Sequence, residues 1–95
     1  MDARLGAVDT PSVFLVTLEG VEGGDALTVL AFVRAETGEA AEAAAAAELV
    51  GFGWSNVQAL RHGEVVDAAA LPPDFREAMD QALKFGSGLI IYEAP

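Results

Sequence analysis

Apolar and polar positions along this chain follow two alternating periods. Ser12–Glu19 (SVFLVTLE) and Ala26–Ala35 (ALTVLAFVRA) are rich in β-branched and aromatic residues, and both read as strands. The Gly-rich, acidic cluster Gly20–Asp25 lies between them. It predicts an antiparallel hairpin with a loop longer than the tightest type. The period then turns helical. Thr37 is placed to cap a helix whose first turn carries Glu39 and Glu42 and whose body is almost all Ala from Ala40 to Ala47. Leu49, Val50 and Phe52 form its apolar end, and Gly51 or Gly53 stops it.

Trp54–Arg61 predicts a third strand. His62-Gly63 reads as a turn, from which Glu64–Asp67 returns as a short strand or bulge. Ala68–Leu71 fits either a loop or one loose helical turn. Pro72-Pro73-Asp74 opens a second helix, in which Phe75, Ala78, Met79, Ala82 and Leu83 recur at amphipathic spacing. Gly86-Ser87-Gly88 ends it, and Leu89–Glu93 is the last strand. The order is β-β-α-β-(β)-α-β. It predicts an α+β domain with a four- or five-stranded, mainly antiparallel sheet and two helices on one face, a ferredoxin-like variant. Residues 1–11 have no periodicity and are expected to be a flexible or edge leader to a single domain over 12–95.

One feature conflicts with helices on a single face. The uncovered face of such a sheet should alternate to polar residues, and here it does not. Phe14, Val16 and Leu18 oppose Val13, Leu15 and Thr17. Leu27, Val29, Ala31 and Val33 oppose Thr28, Leu30, Phe32 and Arg34. In the last strand Ile90 opposes Leu89 and Ile91. An apolar face left open on a small domain marks an interface or a ligand site. The expectation is a homodimer formed through this face, with Val13, Leu15, Leu30, Phe32 and Tyr92 at the interface. The alternatives are that the leader or Ala68–Leu71 folds over the face, or that a ligand fills it.

Composition narrows the function further. Fifteen acidic residues against five basic give a net charge of -10, and Arg4, Arg34, Arg61, Arg76 and Lys84 are scattered. Nucleic acid and anionic membrane are therefore not expected as partners. A basic protein is a conceivable one. With no Cys, thiol catalysis, disulfides and Cys-ligated zinc are excluded. The N-terminus lacks the apolar core of a signal peptide, and no apolar run reaches the ~18 residues of a membrane span, so a cytoplasmic location is expected by default.

No motif carries chemistry. His62, the single histidine, has Arg61, Glu64 and Asp67 near it in sequence, but a hairpin tip is no place for a general base. Glu19, Glu22 and Asp25 lack the ligand spacing of a calcium loop. The Gly-Phe-Gly and Gly-Ser-Gly triplets follow helices, whereas a phosphate loop follows a strand and opens a helix. Ser12, Ser55 and Ser87 lack a nucleophile elbow. Trp54 and Tyr92 suit core edges better than a pocket. No catalytic, cofactor-binding or metal residue is expected. The sequence points to a non-enzymatic binding domain that dimerises. Its alternatives are an acidic inhibitor or immunity-type protein for a basic partner, and a small-molecule binder or enzyme with a cavity involving His62, Glu64 or Tyr92.

Overall fold

The structure is a computed structural model and describes residues 12–93. The expected leader over 1–11 lies outside the described residues. Strands β1 (Val13–Glu22) and β2 (Asp25–Arg34) form the hairpin. Their pairing runs unbroken to Glu22↔Asp25, so the loop is only Gly23-Gly24. Both glycines have positive φ, +60° and +88°. A two-residue hairpin turn of this hand needs that geometry at both central positions, and Gly supplies it at least cost. The longer loop expected from the Gly-rich cluster is corrected accordingly. Gly20 belongs to the strand, where the Trp54 ring and Val57 occupy the space a side chain would take.

Helix α1 (Gly38–Gly51) starts as expected. Thr37 is extended, and its Oγ1 accepts the Ala40 amide at 3.0 Å. Ala41, Ala45 and Leu49 form its fully buried stripe. With only methyl groups along much of that stripe, the helix can lie close to the sheet. Gly53, at φ +96°, then releases the chain into β3 (Ser55–Glu64). This strand pairs antiparallel with β1 and runs straight through His62 and Gly63, which lie opposite Val16 and Leu15. The expected turn there is therefore absent, and Glu64–Asp67 is not a returning strand. The length of β1 explains this. It offers ladder partners as far as Phe14, and those bonds outweigh the local turn preference of His-Gly.

Beyond β3, the Val65 amide donates to Val13 O at 2.8 Å, and Ala68–Ala70 makes one 3₁₀ turn. Helix α2 (Pro73–Phe85) ends at Gly86 in the left-handed conformation, whose amide donates to Ala82 O at 2.9 Å. Arg34 Nη1 donates to Leu83 O at 2.8 Å, satisfying a carbonyl of the last turn. Strand β4 (Ser87–Glu93) pairs antiparallel with β2.

The strand order is β3-β1-β2-β4. The α+β class, the antiparallel four-stranded sheet and the two helices are as expected. The order fits a ferredoxin-like variant in which the first two strands lie at the centre. The helix placement differs from expectation. Helix α1 packs with Val16, Leu18, Val29, Ala31 and Val33. The α2 residues Ala78, Met79 and Ala82 pack with Val13 and Phe32. Side chains of these two sets alternate along β1 and β2, so the helices cover opposite faces. Both faces are apolar because each is part of a core. Helix α1 rests mainly on β3 and β1, whereas α2 rests mainly on β4 and β2.

Candidate functional site

His62 lies in an edge strand on the α1 side of the sheet. Its Nδ1 is 2.7 Å from Glu42 Oε2, one turn into α1. The imidazole meets the Phe14 ring edge-on, with centroids 6.1 Å apart and planes at 82°. Its Nε2 edge lies against Gly38, the first residue of α1, where a Cβ would collide with the ring. One nitrogen is thus engaged by a carboxylate and the other lies beside Gly38, while about a third of the side chain, 33%, stays exposed. The ring links the start of α1 to β3. Glu42 is the partner that sequence reasoning missed. It lies twenty residues away, and only the crossover from β2 through α1 to β3 brings the two together. Ser87, another residue without a catalytic setting in the sequence, donates its hydroxyl to Glu48 Oε2 at 2.9 Å and ties α1 to the first residue of β4.

His62, Glu64 and Asp67 are among the residues lining an open groove of about 460 Å³, with Leu15, Arg61 and Leu71. It runs along the part of the α2 face that borders β3. Its lining is mostly apolar, and Arg61, Glu64 and Asp67 are its charged members. Among the described residues no three His, Asp or Glu side chains converge as metal ligands would. Glu22 and Asp25 simply flank the hairpin turn as a cross-strand pair. Trp54 is buried in the α1 core.

The expected interface residues separate. Val13 and Phe32 are buried under α2, and Phe32 meets Phe75 of that helix edge-on at 5.7 Å. Leu15 is half-buried at the border of the same core, as are Val65 and Leu71. The segment around Leu71 thus helps to close the face that was expected to stay open. Leu30 is half-buried on β2. Tyr92 takes its place in β4 opposite Thr28, and its side chain lies outside the described residues.

Large apolar side chains remain exposed elsewhere. They include Val50 and Phe52 at the end of α1, Val66 after β3, Leu83 and Phe85 at the end of α2, and Ile91 in β4. No helix among the described residues is long and apolar enough to cross a membrane. Comparison of the chain with protein-family models, with curated proteins and with solved structures finds no match.

Proposed function

We propose that this chain is a non-enzymatic interaction domain that associates with a second copy of itself. The supporting observation is the apolar surface that persists after both sheet faces have received a helix. Phe85 is 80% exposed, Phe52 62% and Ile91 47%. Side chains of this size left in water on so small a domain favour association. The closeness of Gly38 to the Nε2 edge of His62 weighs against an acid–base role for that residue. The seat of association is no longer the face carrying Val13 and Phe32, since α2 occupies it. A substitution at Phe32 would report on folding and not on self-association.

Light scattering after size-exclusion chromatography, over a concentration series, tests this reading. A mass rising to twice that of the chain is expected. A single-chain mass at every concentration would overturn it. A basic protein partner is a second reading, supported by α1, which carries Glu39, Glu42 and Glu48 and no basic residue. Capture of one stoichiometric basic protein, lost at high salt, is its expected signature. Capture that persists unchanged at high salt would count against it.

A further inference from the structure

The two edge strands of the sheet are unequal. β3 has two register shifts against β1, a positive φ at Asn56, and Arg61, His62 and Glu64 along its length. Irregularity and charge of this kind are what keep a sheet edge from pairing with another chain. β4 has none of these protections. It reads Ser-Gly-Leu-Ile-Ile-Tyr-Glu, pairs with β2 without a shift over seven residues, and carries no charge before Glu93. Its outer edge has no partner strand among the described residues. Three of the exposed large apolar residues, Leu83, Phe85 and Ile91, lie in the segment that leads into this strand and forms it.

We infer that β4 is the seat of self-association, pairing antiparallel with β4 of a second copy about a two-fold axis at Ile90. The inference rests on the self-association reading above and adds to it a surface and a register.

The register follows from the backbone. The Arg34 amide donates to Gly86 O at 2.9 Å. Alternation along an antiparallel ladder then turns the amides and carbonyls of Gly88, Ile90 and Tyr92 toward β2. Those of Ser87, Leu89, Ile91 and Glu93 point outward. Centring on Ile90 sets Leu89 against Ile91 of the second copy and Ser87 against Glu93. Every outward group then meets an outward group, all seven residues take part, and no charge lies directly opposite a like charge. Ile91, now 47% exposed, would be covered. A second copy is the occupant that this strand fits because the strand complements itself in this register.

The experiment compares the wild-type chain with Ile91→Pro and Ile91→Lys by light scattering over a concentration series, with circular dichroism to check the fold. Ile91→Pro removes an outward N–H and leaves the bonds to β2 in place. Ile91→Lys places a charge at the seam and keeps the test valid if the proline variant does not fold. Each folded variant should weaken dimerisation at least about tenfold, while Gln58→Lys, at an exposed position of the opposite edge strand β3, should leave it unchanged. In the wild-type dimer, amide exchange at Leu89 and Ile91 should slow as concentration rises. Exchange at Gly88 and Ile90 should be slow throughout. A wild-type dimer untouched by both Ile91 variants would overturn the β4 seat and leave self-association standing. A wild-type monomer at all concentrations would overturn both.

Discussion

At the scale of single residues, two glycines fix how closely layers approach. Gly38 lies under the His62 ring, and Gly88 lies under the backbone carbonyl of Ala78 in α2. A methyl group at either would collide, but the obstacles differ. An imidazole can swing, whereas a helix backbone cannot move without its neighbours. Gly88→Ala should therefore cost more than Gly38→Ala, for which overpacking suggests about 1–3 kcal/mol. Urea denaturation midpoints of the two variants check the ranking. A double-mutant cycle adds a sign test. In a His62→Ala background the collision is gone, so Gly38→Ala should become neutral or stabilising, since Ala is the better helix former by about 1 kcal/mol. A cost that persisted in that background would mean that the ring is not what excludes the methyl. Phe32, fully buried against Phe75, belongs to the same scale, and Phe32→Ala should lower stability by about 3–5 kcal/mol.

At the scale of elements, local chemistry and tertiary pairing each decided some boundaries. Thr37 caps α1 as its sequence position implies, so Thr37→Ala should cost about 1 kcal/mol in thermal or chemical unfolding. The amphipathic spacing of α2 and its Pro-rich start were equally legible, because those signals act within a few residues. The hairpin turn was legible in type but not in length. Gly20 looked like part of the turn, yet it is a strand residue made small by Trp54, thirty-four positions further on. His62-Gly63 misled in the same way, since nothing in the dipeptide reveals that β1 extends far enough to pair with it. At the turn itself Gly23 and Gly24 have no neighbours to meet, so substitution there costs conformational energy alone. Gly23→Val should therefore destabilise more than Gly23→Asn, which tolerates positive φ, and thermal melts would show the difference.

At the scale of the whole molecule, charge and exposed apolar surface oppose each other. Each copy carries a net charge of -10. Two copies brought edge to edge repel over distances that salt screens, with a Debye length of about 10 Å at 0.1 M. Self-association should therefore strengthen as sodium chloride rises from low to moderate concentration, and light scattering at several ionic strengths checks it. Association with a basic partner would show the opposite trend, so the salt dependence also separates the two readings. An association that weakened with salt would indicate charge pairing as its basis and argue against an apolar strand seam.

The sequence by itself determined the α+β class, the hairpin, both helices, the Thr37 cap of α1 and the last strand. Each of these depends on periodicity or on chemistry within a turn or two of chain. It also determined that both sheet faces are apolar. Only the tertiary structure decided what covers them. The path of Val65–Leu71 carries α2 to the face opposite α1, so the residues Val13 and Phe32 became core where an interface was expected. The His62–Glu42 contact, the close approach at Gly38 and Gly88, and a β4 edge with no partner strand among the described residues arise in the same way. They depend on which strands become neighbours and on which side each crossover passes, and a one-dimensional pattern does not encode either directly.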